Sequence, residues 1–244
     1  MLSKNEQKKI RLLGEKKYRS KLGLFVAEGL KIVRELVEEG YIFESIFSSK
    51  PIGFAPYKLI DKASLKKVSY LTNPDSILAI FKIPKALNDI ETDKFSLALD
   101  SLSDPGNLGT IIRLSDWFGI KNIYCSHNTV DCYNPKVVQS SMGSIARVNC
   151  QYLDLATFLS KCNSTIYGAN LNGLSHYDCS YDQKGILVLG NESHGISSHV
   201  NDQIDQFITI MSKADESSAE SLNVASACAI MLGEIFRPQS LFKS

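Results

Sequence analysis

The stretch FSLALDSLSDPGNLGTIIRLSDWF, residues 95–118, determines the architecture of the second half of this 244-residue chain. The apolar run FSLAL is followed by Asp100 and other polar turn residues, and then by a segment with the apolar spacing of a helix. The same order of strand and helix recurs to the end of the chain. Repeated units of this kind are typical of a parallel sheet with helices on both faces. We therefore predict an α/β fold with a parallel sheet in residues 94–244.

The other strands of this sheet are predicted at KNIYCS (121–126), ARVNC (146–150), STIYGAN (164–170), GILVLGN (185–191) and FITIM (207–211). The helices are predicted at residues 107–118, 134–142, 154–161 and 221–236. Ser221 is the predicted N-cap of the last helix, and Pro238 lies beyond its end. Because ligands of parallel sheets bind outside the carboxyl ends of the strands, we expect the functional site there.

Residues 1–93 are predicted to form a separate, smaller α/β domain. A helix is predicted over residues 27–39 and ends at Gly40. Its predicted buried face consists of Leu30, Val33, Leu36 and Val37. Short strands are predicted at YIFESIF (41–47), YKLI (57–60) and SILAIF (76–81).

The charge of the chain differs between its two parts. The formal net charge is +1 overall, but residues 1–93 carry +5 and residues 94–244 carry −4. Residues 1–22 alone contain eight basic and two acidic side chains. Such a run is either a solvated helix face or a surface that binds a polyanion, and the charge count leaves both interpretations open.

Composition excludes several classes of protein. With 44% hydrophobic and 22% charged residues, the chain is neither fibrous nor disordered. No apolar run approaches the roughly 18 residues of a membrane span, and the basic N-terminus lacks the apolar stretch of a signal peptide. We expect a cytoplasmic protein that does not bind membranes.

The cysteines and histidines do not form a metal-binding pattern. The six cysteines contain no C-x-x-C pair, which predicts reduced and mostly buried thiols. His194 and His199 are five residues apart, a spacing that does not align two ligands on one helix face. We predict no metal.

Three loops at predicted strand ends contain residues that could bind a ligand. In the first, Gly106 and Gly109 would let backbone approach a ligand at the start of a helix. In the second, Glu192 stands between two glycines, and in the third Ser221-Leu222-Asn223 begins the final helix. Each loop alone is an ordinary turn or cap. Their succession at three strand ends of one sheet predicts a common site.

Three motifs in these loops resemble those of the SpoU/TrmH RNA 2′-O-ribose methyltransferases of the SPOUT class. They are Asn107-x-Gly109-x-x-x-Arg113, Gly190-x-Glu192-x-x-Gly195 and Glu220-Ser221-Leu222-Asn223-Val224. In addition, Phe25-Val26-Ala27-Glu28-Gly29 resembles the opening of that family's RNA-substrate-binding domain. The resemblance covers essentially the whole chain.

The resemblance implies a parallel-sheet methyltransferase domain over residues 94–244, with a C-terminal trefoil knot that forms the S-adenosylmethionine pocket. It implies a homodimer that needs no metal and methylates ribose 2′-hydroxyls of RNA, with ribosomal RNA favoured over tRNA. The implied catalytic residues are Asn107, Arg113, Glu192, Ser221 and Asn223. The implied cofactor-binding residues are Leu189, Gly190, Gly195, Ile210, Leu222 and Asn223.

The chain departs from the family pattern at Met211, where proline is frequent, at Gln139, where arginine is frequent, and in a longer loop over residues 212–220.

A tRNA methyltransferase and a catalytically silent RNA-binding homologue remain alternatives, although the intact Arg113 and Asn223 favour an active enzyme. A nucleotide-dependent oxidoreductase is disfavoured because the chain has neither G-x-G-x-x-G after a first strand nor a P-loop. Because a guanidinium remains protonated, we expect Arg113 to stabilise negative charge rather than to act as a base.

Overall fold

A computed structural model describes residues 1–85, 94–212 and 221–237. These residues form two compact units. The first contains residues 1–85, Leu108–Arg113 and Asp131–Arg147. The second contains residues 94–107, 114–130 and the described residues from Val148 onward. The domain boundary predicted after residue 93 lies outside the described residues and stays a prediction.

The described residues form nine α-helices: α1 Lys4–Leu12, α2 Lys16–Leu22, α3 Leu30–Glu38, α4 Lys62–Lys66, α5 Pro105–Trp117, α6 Pro135–Ser140, α7 Leu155–Leu159, α8 Ser198–Asn201 and α9 Val224–Ile235. They form ten strands: β1 Leu24–Glu28, β2 Phe43–Ser48, β3 Lys58–Leu59, β4 Ile77–Lys82, β5 Ser96–Leu99, β6 Asn122–Ser126, β7 Asn149–Leu153, β8 Ile166–Ser175, β9 Ile186–Leu189 and β10 Gln206–Thr209. A short 3-10 helix covers Ser144–Ala146.

The first unit contains a four-stranded sheet with the order β1-β4-β2-β3. β4 is antiparallel to both β1 and β2, whereas β2 and β3 are parallel. Val26, Phe47 and Leu78 from this sheet share one buried core with Ile10 of α1. Burial of each such side chain contributes about 1.5–3 kcal/mol relative to exposure, which holds α1 on the sheet.

The helix predicted over residues 27–39 was wrong at its start, because Leu24–Glu28 forms strand β1 and pairs with β4. Gly29 separates strand from helix with φ +97°, a conformation that favours glycine. The buried face of α3 also differs from the prediction. Ile32, Val33 and Leu36 are buried, whereas Leu30 at the first helical position is 38% exposed.

The second unit contains the predicted parallel sheet, which is confirmed. Its six strands have the order β10-β8-β9-β5-β6-β7, and every neighbouring pair is parallel. All four residues of β5 and of β9 are buried, as expected for central strands covered on both faces. The strand predicted at residues 146–150 is observed at Asn149–Leu153. Its pairing with β6 begins where Asn149 lies opposite Asn122.

The strand order reverses direction between β5 and β9. From β5 the chain continues outward through β6 and β7, and it then returns to the opposite side of the sheet at β8. Ligands of open parallel sheets bind at such a reversal, outside the carboxyl ends of the two strands. The topology therefore points to the loops that follow β5 and β9.

All six cysteines lie in the described ranges, and none of them forms a disulfide. Cys125, Cys132 and Cys228 are buried, and the other three are partly exposed. The described ranges contain no cluster of three or more His, Cys, Asp or Glu side chains placed to hold a metal ion. None of the helices in these ranges combines the length and the apolar character that crossing a membrane requires.

Candidate functional site

The loop after β5 is held in a fixed conformation by its own polar side chains. Asp100 is buried, and its Oδ2 accepts a hydrogen bond of 2.7 Å from the backbone N–H of Ser197. Ser101 follows with φ +58°, a left-handed conformation that is uncommon outside glycine. Asp104 then caps α5, because its Oδ1 accepts from the N–H of Asn107 at 2.8 Å.

The loop after β9 is folded by Asn191. The Nδ2 of Asn191 donates to the carbonyl of Ser101 at 2.7 Å, which ties this loop to the one after β5. Its Oδ1 accepts from the N–H groups of Ser193 and His194. The backbones of Asn191 and Gly195 also exchange two hydrogen bonds of 2.9 Å, which close the turn.

Gly190 is required by the loop itself. A Cβ atom added at Gly190 would lie 2.2 Å from the carbonyl carbon of Gly195 and 2.4 Å from the nitrogen of Ile196. A side chain at this position would therefore force apart the backbone turn that presents Glu192. Gly195 has φ +68°, which also favours glycine.

Glu192 connects the first two loops. Its carboxylate accepts hydrogen bonds from Asn107 Nδ2 at 2.9 Å and from Ser103 Oγ at 3.2 Å. The backbone N–H groups of Ser103 and Asp104 point at the same carboxylate at 3.5 and 3.4 Å. Partial burial alone would raise the pKa of Glu192, but the hydrogen bonds outweigh it and hold the pKa below its ordinary value. The side chain is thus an anion at neutral pH.

Asn223 connects the third loop to this cluster. Its Nδ2 donates to Asn107 Oδ1 at 2.9 Å, and its Oδ1 accepts from the N–H groups of Ala225 and Ser226 at the start of α9. Each amide has its oxygen toward α9 and its nitrogen toward Glu192. A continuous hydrogen-bond chain therefore runs from the N-terminus of α9 through Asn223 and Asn107 to the carboxylate, and its donors and acceptors have fixed directions.

The N-cap predicted at Ser221 was wrong, because Asn223 caps α9 and the helix begins at Val224. Asparagine serves as well as serine here, since its side-chain oxygen reaches two orphan N–H groups. Ser221 is exposed and makes no hydrogen bond to another described residue. Glu220, the first residue of the third motif, lies outside the described residues.

Gly109, which the sequence suggested for close approach to a ligand, lies against α6. A Cβ at Gly109 would lie 2.4 Å from the Cβ of Ser140 and 2.8 Å from the carbonyl oxygen of Val137. Glycine at this position therefore allows α5 to pack directly on α6. Arg113 lies one turn further along α5, is exposed, and has no hydrogen-bond or ion-pair partner in the described part of the chain.

The residues predicted to bind the cofactor surround the carboxyl ends of β9 and β10. Leu189 is the buried last residue of β9, and Gly190 follows it. Ile210 comes directly after β10 and is partly exposed, whereas Leu222 is 52% exposed immediately before the cap of α9. Two apolar side chains are thus available to a ligand beside the polar chain.

Four residues that build this site were absent from the predicted set: Asp100, Ser103, Asp104 and Asn191. The sequence carries a signal for Asp104, because an aspartate directly before Pro105 is a common N-cap. Ser103 and Asn191 have no such signal. Their partners lie 89 and 90 residues away in the chain, so only the folded topology reveals them.

Two family descriptions match the chain. Residues 94–233 match the SpoU rRNA methylase family, and residues 4–79 match the MRM3-like substrate binding domain. Among curated relatives, the 23S rRNA (guanosine(2553)-2′-O)-methyltransferase RlmP of Bacillus subtilis is 28% identical over 232 residues. That alignment covers 90% of this chain and 91% of RlmP.

Solved structures agree with these matches. A TrmH-family protein from Porphyromonas gingivalis has a TM-score of 0.84 and 36% identity, over 96% of this chain and 98% of that one. The S-adenosylmethionine-bound rRNA methyltransferase from Sinorhizobium meliloti has a TM-score of 0.85 and 26% identity, over 96% of each chain. Both similarities extend across the two compact units.

Proposed function

The chain belongs to the SpoU rRNA methylase family, and we propose that it transfers a methyl group from S-adenosylmethionine to a ribose 2′-hydroxyl of ribosomal RNA. One observation carries this proposal. Asn107, Glu192 and Asn223, one from each motif of the resemblance, are joined in a single hydrogen-bond chain at the carboxyl edge of the parallel sheet. The RlmP relative, which acts on 23S rRNA by its name, supports ribosomal RNA as the substrate class.

The residues at the carboxyl edge fit S-adenosylmethionine. Its adenine is apolar on both faces, and the uncovered side chains of Ile210 and Leu222 offer apolar contact. The turn closed by Gly190 and Gly195 brings backbone amides to the same edge. We propose that these residues, with Leu189 and Asn223, hold the cofactor, which when bound supplies an electrophilic methyl group on its sulfonium.

The chain itself contributes mainly positioning and electrostatics, because methyl transfer from a sulfonium is an in-line displacement. The ribose oxygen becomes a better nucleophile as it loses its proton, and a fixed cation near it stabilises the developing negative charge. Arg113 is exposed and presents a planar, cationic fork of donors. We propose that Arg113 clamps this oxygen and an RNA phosphate, and that the proton leaves to a phosphate oxygen or water.

The first test uses the purified full chain, ribosomal RNA and S-adenosylmethionine with a labelled methyl group. We expect the cofactor alone to raise Tm by mass action, and the label to appear on a ribose 2′-oxygen after nuclease digestion and mass spectrometry. Total tRNA, run in parallel, identifies a tRNA enzyme if it takes the label instead. RNA binding without transfer would identify a silent homologue, and a folded chain that does not bind the cofactor would contradict a methyltransferase.

We propose three further properties of the assembled protein. Trp117 on α5 is 84% exposed and Ile230 on α9 is 40% exposed, and such exposed apolar side chains support a homodimer. Light scattering should then give a molar mass of twice 27.0 kDa. The family supports a trefoil knot, which would shorten the extension of the chain when its ends are pulled. Six cysteines in the thiol form support a reducing location such as the cytoplasm, testable by cell fractionation.

We propose that residues 1–93 form the RNA-substrate-binding domain, with α1 and α2 as its basic surface. The exposed basic side chains of these helices are Lys4, Lys8, Arg11, Lys16, Lys17 and Lys21. The charge of these helices is partly compensated, because Lys17 pairs with Glu15 and Lys9 with Glu44, while Arg19 is buried against Asp131. Lys4, Lys8 and Arg11 line a shallow depression on α1, which is a suitable surface for an RNA backbone.

Replacing Lys4, Lys8 and Arg11 together with alanine should weaken RNA binding at least about tenfold at low salt, because phosphate contacts dominate affinity. The slope of log affinity against log salt should fall by about two, and S-adenosylmethionine binding should be unchanged. The matched control replaces Lys62, Lys66 and Lys67, which removes the same charge from the region of α4. Equal losses in the two triple variants would show that only net charge matters.

A further inference from the structure

The first unit contains a cavity of about 350 Å³ whose wall is formed by two separate parts of the chain. Val26, Glu28 and Tyr70 contribute one side, and Gln139 and Ser140 of α6 contribute the other. The volume is in the range of small-ligand sites. Its lining combines apolar side chains with the Glu28 carboxylate, the Tyr70 ring, the amides of Asn134 and Gln139 and the Lys136 side chain. A planar heterocycle that carries hydrogen-bond donors and acceptors fits such a lining.

Glu28 is the polar centre of this cavity. It is the last residue of β1 and only 5% exposed. Its carboxylate accepts one hydrogen bond from Ser69 Oγ and one from the Tyr70 N–H at 2.8 Å, which leaves acceptor capacity on both oxygens. No cation in the described ranges pairs with it. A buried carboxylate with unused acceptor capacity and no paired cation is stabilised by further N–H donors.

Two side chains beside Glu28 complete the recognition surface. Gln139 is half-buried, and its amide makes no hydrogen bond within the described residues. The ring of Tyr70 is fixed because its hydroxyl donates to the carbonyls of Ile10 and Arg11. A fixed aromatic ring is a stacking partner for an unstacked RNA base.

The cavity lies beside the helix that carries Arg113. Ser140 lines the cavity, and Gly109 of α5 packs directly on Ser140, one helical turn before Arg113. The cavity wall is therefore in contact with the helix whose Arg113 is proposed to clamp the reacting nucleotide.

We propose that this cavity binds a guanine base of the RNA substrate, extruded from its stack and read by Glu28. Guanine has two adjacent donors on its Watson–Crick edge, N1–H and the N2 amino group, and a carboxylate can accept from both. The Gln139 amide would donate to the guanine O6. The proposal rests on the proposed function, and it adds a base-reading site to it.

The test measures binding of guanosine and inosine 5′-monophosphates to the full chain by calorimetry or ligand-detected NMR. Inosine lacks only the N2 amino group. We expect the guanosine nucleotide to bind at least about tenfold more tightly, since one hydrogen bond to a charged group is lost. Adenosine, cytidine and uridine monophosphates should bind more weakly than the guanosine nucleotide.

Two variants separate the two contacts. Glu28→Gln should reduce the preference for guanosine over inosine to less than about twofold, whereas Gln139→Ala should weaken both nucleotides equally, because both carry O6. The matched control is Glu38→Gln, which neutralises an exposed carboxylate of α3. If Glu28→Gln fails to fold, Gln139→Ala and photo-crosslinking of 6-thioguanosine monophosphate to the α6 peptide still decide the question.

Equal wild-type affinity for the two nucleotides, no binding of either, or an unchanged preference in Glu28→Gln would overturn the proposal. So would crosslinks confined to α1 and α2. Because the cofactor and methyl-transfer assays are separate measurements, a chain that methylates RNA without binding the guanosine nucleotide refutes the base-reading cavity alone. A chain that neither methylates RNA nor binds the guanosine nucleotide refutes the proposed function as well.

Discussion

Replacing Arg113 with alanine should lower the turnover of methyl transfer by at least about a hundredfold, the scale of losing one electrostatic contact to the transition state. Tm and S-adenosylmethionine affinity should remain at wild-type values. The reason is that Arg113 is exposed on α5 and supports no other described residue, so its removal breaks no internal contact. Single-turnover assays at saturating RNA measure the chemical step directly.

Arg113→Lys provides the sharper comparison. It keeps the positive charge but cannot reproduce the planar fork that contacts two oxygens at once, so we expect it to recover little of the lost activity. Lys121→Ala, which removes an exposed cation from the loop before β6, is the control and should retain activity. Turnover in Arg113→Ala above about half of the wild-type value would exclude Arg113 from the site.

The parallel sheet and the grouping of the three motifs could be predicted from the sequence. Buried runs such as SLAL and ILVL are apolar at every position, which is the pattern of strands covered on both faces. Because parallel strands end at one edge, loops that follow them must gather there. Asn107, Glu192 and Asn223 are joined for this reason.

Local pattern failed where tertiary contacts decide the outcome. The residues of β1 were partly assigned to a helix because Ala27 and Glu28 are compatible with one, and only the pairing with β4 makes them a strand. A side chain at Gly109 would meet α6 and one at Gly190 would meet its own loop, contacts that the sequence does not indicate. A glycine in a sequence does not reveal which neighbour approaches it.

Arg19 is the clearest case of a residue whose role the sequence hides. It lies in the basic run of residues 1–22, but its side chain is only 2% exposed. Its Nε and Nη2 donate to one oxygen of Asp131 at 2.8 and 2.6 Å, and its Nη1 donates to the carbonyls of Leu13 and Gly14. The ion pair joins α2 to a residue 112 positions later in the same compact unit.

Arg19→Ala should therefore lower the free energy of unfolding by about 3–5 kcal/mol, because it leaves the largely buried Asp131 carboxylate without its cation and two carbonyls without a donor. Urea denaturation of the full chain measures the change. Arg11→Ala is the control. Exposed Arg11 donates, among the residues that the structure describes, only to the carbonyl of Lys67, so its loss should cost less than about 1 kcal/mol.

Adding Asp131→Asn to Arg19→Ala decides why stability is lost. If the main cost is the uncompensated carboxylate, the double variant should be more stable than Arg19→Ala alone, because asparagine carries no charge to desolvate. If the main cost is the loss of donors to Leu13 and Gly14, the second substitution should restore nothing. We expect partial recovery, with a coupling energy of about 1–3 kcal/mol. Stability of Arg19→Ala within about 1 kcal/mol of wild type would mean that the pair contributes no more than a surface ion pair.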